Sequence, residues 1–349
     1  IVRYRFSEDG PVIALNAHGD VVAPGDGWTT DPYGGEVKDG WMYGRGVAVS
    51  KSDFATYAFA LMALRDLGVA LRGSVELHLT YDEEVGGHLG PRWLLDQGLT
   101  APDMVISAGF SYAVVTAHNG CLHLEVTVRG KSAHAARPDT GHDAMAAATQ
   151  ALSAIYAHRT ALAAVRSDIS GIDTPSITVG LIEGGINTNV VPDKVTFRLD
   201  RRMIPEEDVE QVEADLRDLI IRTVAHCEGI HVGIERVMQA RPLAPLEGVA
   251  PLITALQRHA ADVFETEIPV CGVPLYTDAR IYTEAGIPTI IYGAGPRSVL
   301  EANGHRANEK LRLDDLEKAT IVNATTICDL LSPYASPRAG GNTNECTGA

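Results

Sequence analysis

Residues 11–20 read Pro-Val-Ile-Ala-Leu-Asn-Ala-His-Gly-Asp, an apolar run that ends in a histidine, a glycine and an aspartate. The segment Pro11 to Ala17 is short and mostly apolar, which predicts a strand buried in a sheet. His18 and Asp20 follow at its C-terminal end. Because open α/β sheets bind ligands outside the carboxyl ends of their strands, this run predicts both a central strand and the edge of a site.

Strand and helix patterns alternate on either side of this run. Ser52–Leu67 is apolar on nearly every face and stops at Gly68, as a buried helix does, and Gly73–Tyr81 reads as the next strand. Met104–Ser107 and Ile287–Tyr292 are further short apolar strands. The alternation predicts an α/β fold with a mostly parallel sheet that is covered on both faces.

The middle of the chain has a different order of elements. The predicted elements are a strand at Leu122–Val128, a helix at His142–Tyr156, strands at Ser176–Ile182 and Lys194–Leu199, a helix at Pro205–Ala225 and a strand at Ile230–Val237. The order β-α-β-β-α-β is that of a ferredoxin-like domain. Since the earlier pattern resumes near Gly248, we expect this domain to be inserted into the larger one.

The predicted domain organisation has four parts. Residues 1–121 and 239–331 form the larger α/β domain, residues 122–238 form the inserted domain, and residues 332–349 form a disordered tail rich in Ser, Gly, Pro and Asn. The chain starts at Ile1 and enters a strand-like run almost at once, so we expect the natural N-terminus of the larger domain to lie upstream.

Composition excludes several classes of function. The formal net charge of -16 argues against nucleic-acid binding, which needs a basic face, and no apolar run has the length of a membrane span. The five cysteines lack the close spacing of a disulfide framework or a structural zinc site. We therefore expect a cytoplasmic protein whose partner is a small molecule.

Adjacent carboxylates at a strand end suggest the chemistry. Glu83 and Glu84 would repel each other unless a cation or a proton lies between them. The imidazole of His18 can bind the same cation, and Asp20 can accept its second ring proton and fix its orientation. Taken alone, both motifs are also compatible with ordinary polar turns at strand ends.

The motifs together resemble one family. They are His18-Gly-Asp-Val-Val, Asp31-Pro-Tyr, Asp39-Gly, Tyr43-Gly-Arg-Gly, Tyr81-Asp-Glu-Glu-Val-Gly-Gly, Gly130-Lys-Ser-Ala-His, Asn189-Val-Val-Pro-Asp, Thr277-Asp-Ala-Arg and Gly304-His-Arg-Ala-Asn-Glu. In this order they are similar to the metallopeptidases and deacylases related to carboxypeptidase G, aminoacylase, acetylornithine deacetylase and succinyl-diaminopimelate desuccinylase. The resemblance runs from about residue 12 to residue 330 and implies a zinc-peptidase-like catalytic domain with a ferredoxin-like lid.

The resemblance also assigns roles to single residues. His18, Glu84 and His305 match metal ligands, and Glu83 matches the general base. His134 matches a lid histidine that reaches the partner subunit's site in dimeric relatives and stabilises the oxyanion, which implies a homodimer or a higher homo-oligomer. Asn189 and Arg202 match positions that contact the substrate, often at its carboxylate.

Two positions depart from the family pattern. Relatives have a metal-bridging aspartate where this chain has Val49, and a further carboxylate ligand where it has Gly109. The usual set of five ligands for two metals thus retains three members.

Three outcomes are compatible with this loss. A single divalent transition metal, Zn, Mn or Co, could be held by the three remaining ligands with a position open for water. Asp53, one helical turn beyond Val49, could replace the lost carboxylate. The chain could instead have lost its metal and become a binding protein, although Glu83 and His134 would then have no role.

The expected function is the metal-dependent hydrolysis of an amide-type C–N bond in an N-acyl amino acid or a similar small carboxylate. One alternative is an aminohydrolase that releases ammonia from an aryl amine, resembling 5-nitroanthranilate aminohydrolase. Another alternative is a non-catalytic binding protein. Among the other histidines, which include His123, ordinary structural roles are expected; His88 is the first choice for a compensating ligand.

Overall fold

The computed structural model describes residues 1–333, so the predicted tail lies outside the described residues except for its first two positions. The first part contains β1 (Val2–Arg5), β2 (Val12–His18), β3 (Glu36–Lys38), β4 (Trp41–Tyr43), α1 (Lys51–Asp66), β5 (Ser74–Thr80), α2 (Pro91–Asp96), β6 (Met104–Ser107) and β7 (Val114–His118). The middle part contains β8 (Gly120–Arg129), β9 (Ala133–His134), α3 (Ala144–Leu162), β10 (Ser176–Gly184), β11 (Val190–Val191), β12 (Lys194–Met203), α4 (Val209–Val224) and β13 (His231–Ala240). The last part contains α5 (Ala250–Phe264), β14 (Val270–Val273), α6 (Ala279–Glu284), β15 (Thr289–Ile291), α7 (Val299–Ala302), β16 (Lys310–Arg312) and α8 (Leu313–Leu330).

The first and last parts build one mostly parallel sheet with the strand order β1-β5-β2-β6-β15-β7-β14. Strand β2 lies parallel to both β5 and β6, and β15 continues in parallel beside β6. The antiparallel pairings are β1 with β5 and β7 with β15. The predicted α/β fold with a mostly parallel sheet is therefore confirmed.

The central strand β2 is buried on both faces, which explains why its sequence is continuously apolar. Ile13 and Leu15 pack into the main core with Tyr57 of α1, while Ala14 between them faces Tyr282 of α6 on the other side. Successive side chains of a strand point to opposite faces, so each face of this strand needs its own helical cover. The core above Ile13 and Leu15 comes from α1, α5 and α8.

The middle part folds around a four-stranded antiparallel sheet with the order β10-β12-β8-β13. On one face of this sheet, α3 and α4 pack over alternate residues of β8 such as Leu122, Leu124 and Val126. The residues between them, His123 and Glu125, point away from the helices because side chains alternate along a strand. We call this layer the lid sheet.

The two helices of the middle part begin later than the apolar pattern predicts, and capping explains both starts. Asp143 accepts hydrogen bonds from the backbone N–H groups of Met145 and Ala146, so α3 begins at Ala144 rather than at His142. Asp208 accepts from Gln211 N, so α4 begins at Val209 rather than at Pro205. An aspartate side chain satisfies N–H groups that have no partner within the helix, which fixes the helix start.

None of the helices within residues 1–333 combines the length and hydropathy that crossing a membrane would need.

Candidate active site

A cavity of about 510 Å³ lies between the carboxyl ends of the parallel strands and the lid sheet. The strand ends contribute His18 after β2, Glu83 and Glu84 after β5, and the segment 107–110 after β6. The lid sheet contributes His123 and Arg202. Five residues predicted from the sequence, namely His18, Glu83, Glu84, His305 and Arg202, thus line the same cavity.

His18 is held in place from three directions. Its backbone N–H donates to Ser50 Oγ at 2.7 Å, and its Nδ1 lies 3.3 Å from Asp20 Oδ1 and 3.1 Å from the Asp20 carbonyl oxygen. Its Nε2 is directed towards Glu83 Oε2 at 3.9 Å. Burial alone would lower the pKa of the imidazole, but the hydrogen bond to Asp20 and the charge of Glu83 raise it to about 9. Asp20 therefore contacts His18 in the way the motif suggests.

Glu83 and Glu84 lie on a short 3₁₀ turn that directly follows β5. Burial raises the pKa of the Glu83 carboxyl to about 8, although the positive charge of His18 acts in the opposite direction. Glu84 Oε1 lies 3.4 Å from His305 Nε2, and the hydrogen bond between them raises the pKa of His305. Glu83 is thus a carboxyl group with a strong tendency to take up a proton. The neighbouring side chains of Glu84 and His305 could bind a cation.

Asp278 is a cavity residue to which the sequence assigned no role. It precedes α6, is 3% exposed, and lines the cavity beside Tyr276 and Thr277. Burial raises its pKa to about 7, against the nearby charge of His18. Its Oδ2 is among the buried oxygens of residues 1–333 that have no hydrogen-bond partner. The motif Thr277-Asp-Ala-Arg was the signal that could have identified it.

The donor set fits a divalent transition metal. The cavity brings two imidazoles together with the carboxylates of Glu83, Glu84 and Asp278, and a buried acid with an unpaired oxygen is a group that a cation would stabilise. Nitrogen and carboxylate oxygen ligands suit Zn, Mn or Co.

The three metal ligands that the sequence predicts, His18, Glu84 and His305, fall into two groups in the structure. His18 contacts Asp20 and Glu83, whereas Glu84 contacts His305. Within residues 1–333, His18, Glu84 and His305 do not form a set whose ligand atoms all lie within 4.8 Å of one another. Binding of a single ion by all three residues therefore requires side-chain movement, for which the largely exposed His305 has room.

The turn that carries Val49 is fixed by a buried ion pair. Arg45 Nη1 donates to Glu309 Oε2 at 2.6 Å, and Glu309 Oε1 accepts from Ala48 N at 3.1 Å. Val49 follows and lines the cavity with Ala48. An apolar side chain therefore lies at the position for which the sequence resemblance implies a bridging carboxylate.

Gly109 cannot be exchanged for a carboxylate without rearrangement. A Cβ atom on Gly109 would lie 2.1 Å from Ile291 Cγ2, which is too close for any pair of carbon atoms. Ile291, Phe110 and Val49 all line the cavity. Apolar side chains therefore surround the position at which the sequence resemblance implies a further carboxylate ligand.

Asp53 is fully buried and does not line the cavity. Its Oδ1 accepts a hydrogen bond from Ala294 N at 2.7 Å, while its Oδ2 is another buried oxygen of residues 1–333 with no hydrogen-bond partner. Burial raises its pKa to about 7. The hypothesis that Asp53 supplies a substitute carboxylate would require its side chain to reach the cavity.

Arg202 lines the cavity and is paired with Asp200. Its Nε lies 2.9 Å from Asp200 Oδ1 and its Nη2 lies 3.0 Å from Asp200 Oδ2, and the guanidinium sits 5.8 Å from the centre of the Tyr276 ring. This arrangement fixes the planar guanidinium against the cavity wall.

Three other residues that the sequence suggested do not reach this cavity. His134 and Asn189 lie at the β9–β11 pairing, where His134 is exposed and pairs with Val190. His88 lines a second cavity together with Arg92 and Glu284, so it is not a ligand candidate in the first one. His123, for which a structural role was expected, lines the first cavity instead.

The chain is similar in sequence and fold to several known proteins. A family model described as "Peptidase family M20/M25/M40" matches residues 14–329. The chain is 29% identical to acetylornithine deacetylase of Myxococcus xanthus over 319 residues, which covers 90% of this chain and 79% of the relative. It is 25% identical to succinyl-diaminopimelate desuccinylase of Rhodospirillum centenum, covering 93% and 82%. The fold matches a tripeptidase from Staphylococcus aureus with a TM-score of 0.74 at 20% identity, covering 94% of this chain and 83% of that one.

Proposed function

This chain belongs to peptidase family M20/M25/M40, and from that premise we propose that it hydrolyses the amide bond of a small N-acylated amino acid or a similar carboxylate. Like the deacetylase and the desuccinylase to which it is similar, it is a metal-dependent hydrolase of C–N bonds. The observation that carries the substrate class is that Glu83 and Arg202 line one cavity, with a base on the strand side and a guanidinium on the lid side.

His18, Glu84 and His305 would hold one divalent transition metal, with Asp278 as a further acidic neighbour. When bound, such an ion would lower the pKa of an attacking water and polarise the substrate carbonyl. The apolar side chains of Val49, Phe110 and Ile291 restrict the space left for a second ion.

Glu83 is positioned to take the proton of the attacking water and to deliver it to the leaving nitrogen. General bases work best when their pKa lies near the working pH, and burial has raised the pKa of Glu83 into that range. The side chain lies next to His18 at 3.9 Å, inside the cavity rather than on its rim.

Arg202 would bind the substrate carboxylate, because a planar guanidinium can donate two parallel hydrogen bonds to it. The test compares an N-acetyl amino acid with its α-carboxamide. We expect Arg202→Met to raise KM for the acid by about ten- to hundredfold, the value of a charge-assisted hydrogen bond, and to leave the carboxamide unaffected. Arg198→Met is the matched control, because Arg198 lies on the same strand but pairs with Glu125 outside the cavity. Equal losses with both substrates would contradict this role.

We further propose that the protein works as a homodimer in which His134 enters the partner's cavity and stabilises the oxyanion. In a single chain His134 is exposed and does not line the cavity, which fits a side chain that acts on a second copy. Asn189 pairs with the same loop, where its carbonyl oxygen accepts from Ala135 N, and would move with it.

Mixing two inactive variants tests this arrangement. Glu83→Gln and His134→Ala should each be inactive alone, yet a refolded equal mixture should recover about a quarter of wild-type activity, since half of random dimers have one intact site. The measurement is turnover per chain before and after subunit exchange. No recovery in a mixture shown to contain heterodimers would rule out action of His134 on the partner.

A further inference from the structure

Strand pairing in the lid sheet brings together three side chains that could bind a metal. Cys121 and His123 lie two residues apart on β8, and Asp200 on β12 is paired directly with His123. All three project from the face that is turned away from α3 and α4, because Leu122 and Leu124 occupy the helix-facing positions. Cys121 is buried, while His123 and Asp200 are partly exposed.

We propose that Cys121, His123 and Asp200 form a second transition-metal site on the lid sheet. Within residues 1–333, these are the three residues whose ligand atoms all lie within 4.8 Å of one another. The site is separate from the ligands assigned to the catalytic metal, and it does not depend on the proposed substrate.

The distances match one face of a tetrahedron. Cys121 Sγ lies 3.2 Å from His123 Nε2 and 3.8 Å from Asp200 Oδ1, and His123 Nε2 lies 3.2 Å from Asp200 Oδ2. With ordinary zinc–ligand bond lengths, tetrahedral coordination by sulfur, nitrogen and oxygen has edges of about 3.4–3.6 Å. The two Asp200 oxygens face different partners, so a rotation of this carboxylate that brings one oxygen close to both Cys121 Sγ and His123 Nε2 would place three ligand atoms around a common ion.

The same atoms do not fit a nucleophilic triad. A Cys-His-Asp relay needs the thiol and the carboxylate on different ring nitrogens, whereas here both face Nε2 of His123. Burial also raises the pKa of the Cys121 thiol to about 12, which leaves it a poor nucleophile by itself. Ligands that bind one metal ion must face a common point, and Cys121 and Asp200 both face His123 Nε2.

The ligand set predicts which ions bind. One thiolate, one imidazole and one carboxylate favour Zn or Co over Mg or Ca, which prefer oxygen ligands alone. The fourth position is open to the cavity, because His123 lines it. Arg202 holds Asp200 through two nitrogens and adds a positive charge, so we expect moderate affinity and tighter binding in Arg202→Met.

Cobalt titration of the chelator-treated full chain tests the site, because a thiolate bound to Co(II) gives a charge-transfer band in the near ultraviolet. We expect this band in the wild type and in Glu84→Gln, whose altered residue belongs to the catalytic cavity. We expect Cys121→Ser to lose the band and Cys271→Ser, a half-buried thiol outside the cluster, to keep it. Added Zn should abolish the band by displacing Co.

Two further variants keep the test decisive if replacement of the buried Cys121 impairs folding. His123→Gln and Asp200→Asn alter partly exposed residues, and each should weaken Co binding at least tenfold while thermal unfolding shows a folded protein. Absence of the band in the wild type, or its full retention in Cys121→Ser, would overturn the proposal. Unchanged affinity in both His123→Gln and Asp200→Asn would do the same.

Discussion

Replacement of Glu83 by Gln is expected to lower kcat by about 10²–10⁴-fold, the usual contribution of a general base. The amide keeps the shape of the side chain but cannot take a proton from water. Glu83 lines the cavity beside His18, and its pKa is raised to about 8, in the range where a carboxyl group can exchange protons near neutral pH. Steady-state turnover of an N-acyl amino acid is the measurement.

Measurement of the metal content distinguishes loss of the general base from loss of metal binding. Glu83→Gln should retain the metal content of the wild type, because the assigned ligands are His18, Glu84 and His305. Glu247→Gln, at an exposed position outside the cavity, is the matched control and should leave turnover unchanged. Wild-type rates in Glu83→Gln would refute the proposed mechanism.

Removal of the metal is expected to lower turnover by about 10³-fold or more, since both the activation of water and the polarisation of the carbonyl depend on it. Restoration should need one equivalent of Zn, Mn or Co per chain. The experiment is best done in Cys121→Ser, because that variant leaves the catalytic cavity as the assigned site. Turnover and elemental analysis are followed together during the titration.

The variant Val49→Asp tests the number of metal ions that the catalytic cavity binds. In the Cys121→Ser background, a carboxylate at Val49 would add a ligand inside the cavity, and we expect metal content to rise from about one towards two ions per chain. Val49→Asn has nearly the same shape without the charge and should stay near one. Two ions per chain in the Cys121→Ser variant that keeps Val49 would contradict the single-metal proposal.

Local patterns in the sequence were sufficient for the main elements of the fold. The apolar run before His18 predicted β2, and the period of the middle part predicted the β-α-β-β-α-β order seen in β8, α3, β10, β12, α4 and β13. Helix starts were missed by a few residues, because the caps Asp143 and Asp208 decide them.

The residues of the candidate site were likewise only partly predictable from the sequence. His18, Glu83 and Glu84 could be identified because polar residues that directly follow buried strands reach the same sheet edge. Asp278 was assigned no role although its motif was recognised, because the motif does not show that this carboxyl is buried beside groups far away in sequence. The lack of space for a side chain at Gly109 could not be predicted either, because it depends on Ile291 packing against this glycine.

The sequence by itself thus determined the order of the main strands and helices, the family and five of the residues that line the catalytic cavity, because each depends on local periodicity or on a motif. Only the tertiary structure decided that Asp53 is buried and does not line the cavity, that Ile291 excludes a carboxylate at Gly109, and that Asp200 meets His123. These outcomes depend on strand register and close packing between distant segments, which no local pattern encodes.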